Sequence, residues 1–118
     1  MTVPIVHFTT DTTRVEVTMS ENNAATQDFL SKLPMTVTFE DFHGKEKIAF
    51  PDERIDATGA PGMAAEIGDF FCYAPWGNFG FFYEPLAFSD DNIRMGRTDN
   101  IEGVQALDGQ RVTISSAD

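Results

Sequence analysis

Residues 69–83 have the sequence DFFCYAPWGNFGFFY, and this stretch limits the kind of fold that the chain can adopt. Two aromatic-rich segments, residues 69–74 and 79–83, flank the string PWGN at residues 75–78. Aromatic side chains favour β-strands. Proline fixes one φ angle and glycine permits unusual ones, which is what a tight reversal of the chain requires. The stretch therefore predicts two neighbouring strands joined by a turn that carries Trp76.

Alternating polar and apolar side chains predict further strands on both sides of this stretch. Residues 14–19 alternate with the period of a half-buried strand. The His43-Gly44 pair offers the positive φ angles of a tight hairpin. Other segments with strand character are residues 3–8, 35–40, 46–50, 92–98 and 110–116. Residues 51–68 contain prolines and glycines without a sustained period, so we predict a long loop there.

Two helices are predicted among the strands. Asn22 or Asn23 can cap a helix that extends to Leu33, in which Phe29 and Leu33 recur at the four-residue spacing of a buried stripe. Residues 101–107 have the spacing of a shorter helix. Short antiparallel strands in this number must close or stack to protect their edges. We therefore predict a mainly β fold, a closed eight-stranded antiparallel barrel with the longer helix across one opening.

Length, net charge and the lack of long apolar segments limit the class of protein. The 118 residues suit a single domain, residues 1–118, since two separate cores in so short a chain would each have too little apolar surface to bury. The net charge of −11 would repel nucleic acid and the anionic surface of a membrane, so neither is an expected partner. The sequence has no apolar run of about 20 residues and no signal-peptide pattern, so we expect a cytoplasmic protein.

The order of the predicted elements resembles that of the cyclophilin fold. In that fold two strands, a helix, five strands, a short helix and a final strand follow one another. Local strings with the same resemblance are AATQDF at residues 24–29, GFFY at 80–83, MGR at 95–97 and the segment 103–114. Residues 68–83, with their Ala-Pro-Trp-Gly turn between aromatic strands, are similar to a group of small bacterial cyclophilin-like proteins of uncharacterised function.

The resemblance implies binding rather than catalysis. Cyclophilin isomerases use an arginine in a Phe-His-Arg-Val-x-Pro strand to polarise the prolyl carbonyl, and residues 35–50 contain no arginine. Residues 85–97 also lack the tryptophan and histidine of the family's pocket. We therefore predict no catalytic residue and a module that binds a small molecule or an extended peptide. One alternative is a residual prolyl isomerase, and another is a structural protein that forms homo-oligomers through its aromatic patch.

Three aromatic residues are candidates for ligand binding. Trp76 is expected on an exposed turn beside Tyr73, and the similarity of residues 80–82 to the cyclophilin pocket strand directs Phe82 toward the binding groove. Aromatic side chains that bury little of their own surface in the fold often cover a ligand. The alternative is that Trp76 folds back and plugs one end of the barrel.

Arg97 is the fourth candidate ligand-binding residue, because it follows Gly96 in a segment that resembles the family. Arg94 and Arg97 lie at odd separation on one predicted strand, so they should point to opposite faces of the sheet. Only one of them can then face a groove. The alternative is a surface ion pair with one of the nineteen acidic residues.

The remaining chemistry-bearing residues favour no catalytic or metal site. Cys72 is the single cysteine and has no histidine or basic residue beside it in sequence, so we predict an inert buried thiol. His7 and His43 show no metal-ligand spacing, and residues 59–62 lack the lysine of a phosphate-binding loop. We therefore predict no metal and no cofactor.

Overall fold

The computed structural model describes residues 3–117 and shows a mainly β chain with two helices. Helix α1 is Ala24–Ser31 and helix α2 is Ile101–Gln105. The strands are β1 (Ile5–Thr9), β2 (Arg14–Thr18), β3 (Met35–Thr38), β4 (Glu40–Phe42), β5 (Glu46–Ala49), β6 (Met63–Ala65), β7 (Asp69–Tyr73), β8 (Asn78–Phe82), β9 (Leu86–Ser89), β10 (Asn92–Arg97) and β11 (Arg111–Ser116). Neither helix has the length and apolar content needed to cross a membrane.

The hydrogen-bonded sheet is open, so the prediction of a closed eight-stranded barrel is wrong. Nine strands form one antiparallel sheet in the order β3-β11-β1-β2-β10-β7-β8-β5-β4. The predicted single strand at residues 35–40 divides at Phe39, whose carbonyl accepts a hydrogen bond from the backbone N–H of Gly109 at 2.7 Å. As a result β3 pairs with β11, whereas β4 pairs with β5, and the two form opposite edges of the sheet.

A second, two-stranded sheet of β6 and β9 was absent from the sequence prediction. It lies against a separate hydrophobic cluster that includes Met63, Phe71 and Phe82. Strands β7 and β8 are therefore buried on both faces, which accounts for their almost continuous aromatic sequence. Strand β6 falls within the predicted long loop, because three residues are too few to show a period.

The main core lies on the other face of the large sheet and is filled by phenylalanine rings. The fully buried rings are those of Phe8, Phe29, Phe39, Phe70, Phe79 and Phe81. Helix α1 contributes Phe29, whose ring centroid lies 5.1 Å from that of Phe70. This confirms that the helix buries Phe29, although Leu33 is only partly buried and lies beyond the end of the helix.

Several local predictions are confirmed by backbone geometry. Asn23 is the N-cap of α1, and its side-chain oxygen accepts a hydrogen bond from the backbone N–H of Thr26 at 3.0 Å. His43 and Gly44 adopt φ angles of 56° and 70° between β4 and β5. The turn between β7 and β8 forms as expected and brings Trp76 to the outer side of the sheet beside Tyr73.

Candidate functional site

A cavity of about 320 Å³ opens beside the turn between β7 and β8. Its lining consists of Phe42, Glu46, Tyr73, Trp76, Asn78, Phe82, Leu86 and Asn92. Three of the four predicted ligand-binding residues are therefore brought together here, namely Tyr73, Trp76 and Phe82. Cavities that take small ligands commonly begin at about 300 Å³, so the space suits a small molecule or a single side chain.

Strand register explains why these side chains converge. Phe42 pairs with Glu46 across β4 and β5, and Glu46 pairs with Phe82 across β5 and β8. Residues directly opposite in an antiparallel pair point to the same face, so these three side chains form one row.

A second row runs beside the first. It consists of Asn78, Tyr73 and Asn92, from strands β8, β7 and β10. Because Asn78 and Phe82 lie four residues apart on β8, both rows share one face of the sheet. The cavity therefore has a floor that is defined by the sheet itself.

Trp76 is half-exposed, with 48% of its surface accessible, as the sequence predicted. Its ring packs edge-on against Tyr73, with centroids 5.0 Å apart, and edge-on against Phe42 at 6.1 Å. On its other side it stacks with the exposed ring of Phe50 at 6.0 Å. This position at the rim of the cavity contradicts the alternative in which Trp76 plugs the barrel.

The turn that carries Trp76 is braced by the segment before β6. The guanidinium of Arg54 donates hydrogen bonds to the carbonyls of Ala74 and Pro75 at 3.1 and 3.3 Å. The backbone N–H of Ile55 donates to the carbonyl of Gly77 at 2.8 Å. Gly77 has a φ of 64°, and a Cβ placed there would lie 2.5 Å from the Cβ of Arg54, so only glycine fits. The backbone that carries the indole is therefore fixed by contacts within the protein.

The polar groups of the cavity are unusual for a buried surface. Asn78 is only 1% exposed, yet its side-chain oxygen Oδ1 has no hydrogen-bond partner among residues 3–117. A buried acceptor without a partner costs about 1–3 kcal/mol of desolvation. Burial also raises the pKa of the Glu46 carboxyl above its ordinary value. Both groups are ready to accept hydrogen bonds from a bound molecule.

Arg97 is not part of the cavity lining. Its guanidinium lies 3.4 Å from the Glu66 carboxylate, in agreement with the ion-pair alternative. The register of β10 against β7 shifts between Arg94 and Gly96, so the argument from odd separation was wrong. The irregularity turns both arginines toward the same acidic residues, and Arg94 binds Asp69 through two hydrogen bonds of 3.0 and 2.9 Å.

The sulfur of Cys72 lies in the main core, away from the cavity. The residue is fully buried, and burial raises the pKa of its thiol to about 12. At neutral pH the thiol is therefore protonated and a poor nucleophile. Within residues 3–117, no three His, Cys, Asp or Glu side chains come together in a way that could hold a metal ion.

Sequence reasoning missed five of the lining residues. These are Phe42, Glu46, Asn78, Leu86 and Asn92. Phe42 and Glu46 could have been found, because the hairpin turn predicted at His43 and Gly44 places the residue before it opposite the residue after it. The asparagines gave no such signal, since their role depends on pairing between three strands.

Comparisons with known proteins agree with this architecture. The model of a family described as the Cyclophilin-like family matches residues 8–115. The solution structure of the hypothetical protein AF2241 from Archaeoglobus fulgidus is similar, with a TM-score of 0.74 and 18% sequence identity. The similarity covers 98% of this chain and 95% of that one, and at this identity it shows the shared fold alone. No curated protein sequence matches the chain.

Proposed function

The chain belongs to the Cyclophilin-like family, and from this premise we propose that it is a non-catalytic module that binds a small molecule, or one side chain of an extended peptide, in the aromatic cavity. The observation that carries this proposal is the half-exposed Trp76 on a braced turn. A large ring that gains little burial from its own fold, yet is carried by a braced backbone, can cover a ligand at a reduced ordering cost.

Trp76 also supplies the readout, because it is the only tryptophan of the chain. Intrinsic fluorescence at tryptophan wavelengths therefore reports on the cavity alone. We expect a set of metabolites and proline-containing peptides to include compounds whose titration changes this fluorescence. If no compound changes it, and the chain instead associates with itself as its concentration rises, the aromatic patch is an interface and the binding proposal is wrong.

Replacement of Trp76 by alanine should separate binding from stability. We expect a loss of affinity of about tenfold or more for any ligand found in the screen, which is about 1.4 kcal/mol or more. The free energy of unfolding should fall by about 1 kcal/mol or less, because the side chain is half-exposed. Affinity is measured by calorimetry and stability by urea unfolding.

The matched control is Phe88→Ala, which removes an aromatic side chain that is 63% exposed and lies outside the cavity. This variant should bind like the parent chain. A loss of about 3–5 kcal/mol of stability in Trp76→Ala, the range for a buried aromatic residue, would instead show a structural role for the indole.

Residual prolyl isomerisation is the alternative function, and the cavity gives it little support. Among the residues described by the structure, no arginine or lysine lines the cavity, so these residues place no cation there to polarise a prolyl carbonyl. We expect no acceleration above the uncatalysed rate in a protease-coupled assay with proline-containing tetrapeptides. Turnover close to that of an authentic cyclophilin, assayed in parallel, would contradict this expectation.

A further inference from the structure

We infer that the ligand of this cavity is a small organic cation with N–H donors, such as an ammonium or guanidinium group on an apolar body. The inference rests on the proposed binding function and adds the chemical class of the ligand. Aromatic walls, one carboxylate and one buried amide oxygen together support it.

The aromatic walls present π faces in two directions. The rings of Tyr73 and Phe42 stand at 87° and 85° to the indole of Trp76, so they do not stack upon it. A cation near the face of a tryptophan, tyrosine or phenylalanine ring is attracted by the ring quadrupole. Neutral aromatic ligands would also fit such walls, so this first observation needs the second.

Glu46 is the one charged side chain that lines the cavity among the residues described by the structure. Its carboxylate lies in the row between Phe42 and Phe82 and forms no ion pair within 4.0 Å inside residues 3–117. A half-buried carboxylate without a cation is costly, in agreement with its raised pKa. A bound cation would supply the missing partner and would be held by a charge-assisted hydrogen bond.

Asn78 adds an acceptor in the same space. Its buried Oδ1 has no hydrogen-bond partner within residues 3–117, so a ligand N–H that reaches it would satisfy it. An anion or a molecule with acceptors alone would leave this oxygen unsatisfied and would face the Glu46 carboxylate. The net charge of −11 also raises the local concentration of cations around the chain.

The test compares three probes of similar size that differ in charge. These are 2-phenylethylammonium, the neutral 2-phenylethanol and the anionic 3-phenylpropionate. Each probe is added to the protein in increasing amounts at pH 7, and its dissociation constant is obtained from the change in Trp76 fluorescence. We expect the ammonium to bind at least tenfold more tightly than the alcohol, and the carboxylate to bind most weakly. Equal affinities, or a preference for the alcohol or the carboxylate, would overturn the inference.

Glu46→Gln tests the role of the carboxylate directly. The variant should lose the tenfold preference for the ammonium over the alcohol. Because burial raises the Glu46 pKa, the ionised carboxylate opposes folding of the empty protein above that pKa, so the variant should unfold at the same temperature as the parent or higher. A preference for the ammonium that survives in this variant would also overturn the inference.

Glu84→Gln is the matched control, since it removes the same charge from an exposed position outside the cavity. It should keep the full preference for the ammonium. If the alcohol binds as well as the ammonium and both depend on Trp76, the cavity binds ligands but the cation inference fails. If none of the three probes binds at millimolar concentration, the cation inference also fails, and the metabolite and peptide screen alone decides the binding function.

Discussion

Replacement of Arg94 by methionine is expected to lower the free energy of unfolding by about 3 kcal/mol, because it removes the guanidinium that is hydrogen-bonded to the buried Asp69 carboxylate and leaves only Arg97, whose Nε lies 4.0 Å from Asp69 Oδ1. Asp69 is fully buried and receives two hydrogen bonds from the Arg94 guanidinium, at 3.0 and 2.9 Å. Methionine keeps most of the aliphatic stem of arginine, so the loss reports on charge rather than on packing. Urea unfolding followed by circular dichroism measures it.

Arg111→Met is the control for this prediction, since Arg111 is exposed on β11. It should change stability by about 0.5 kcal/mol or less.

Adding Asp69→Asn to Arg94→Met should recover part of the loss, because the buried side chain is then neutral. Its amide oxygen can still accept the hydrogen bond that the backbone N–H of Glu66 donates to Asp69 at 2.8 Å. Equal stability of the Arg94 and Arg111 variants would contradict the structural role of this ion pair.

Phe8→Ala is expected to cost a similar amount, about 3–5 kcal/mol, through loss of packing in the main core. The Phe8 ring is fully buried, and its centroid lies 5.1 and 5.3 Å from those of Phe70 and Phe81. A cavity at this point removes contacts from β1, β7 and β8 at once. Thermal and urea unfolding should agree on the loss.

Two further variants calibrate the Phe8 result. Phe88→Ala removes an exposed ring and should stay within about 0.5 kcal/mol of the parent chain. Phe8→Leu refills part of the cavity and should fall between the other two. A Phe8→Ala variant that is as stable as Phe88→Ala would mean that the core collapses around the vacant space at no cost.

The features that could be predicted from the sequence are those with a local cause. The cap at Asn23 and the left-handed turn at His43 and Gly44 depend on a few neighbouring residues, and both form as predicted. The open sheet depends instead on Phe39, where burial of one ring and a hydrogen bond to a distant turn divide a segment that alternates like a single strand. No local pattern distinguishes such a bend from a continuous strand.

In the candidate site, too, the residues with a local sequence signal were predicted and those that depend on strand pairing were not. Tyr73, Trp76 and Phe82 were found because the unusual turn and the family resemblance both marked them. Arg97 was chosen from the same resemblance, but an irregularity in β10 turns it toward Glu66 instead. Glu46 supplies the charge of the cavity; the hairpin turn at His43 and Gly44 indicates its pairing with Phe42, but its pairing with Phe82 is not visible in a single sequence.

The division at Phe39 has a consequence for how the fold opens. Residues 35–42 form both edges of the nine-stranded sheet. One local opening of this segment therefore breaks the hydrogen bonds of β3 to β11 and those of β4 to β5 together, and exposes backbone amides in β11 and β5. In hydrogen exchange the two edges of the sheet would then share one opening free energy, although seven strands lie between β3 and β4 in the sheet order. Each edge strand has four residues or fewer, which also leaves little exposed ladder for edge-to-edge aggregation with other chains.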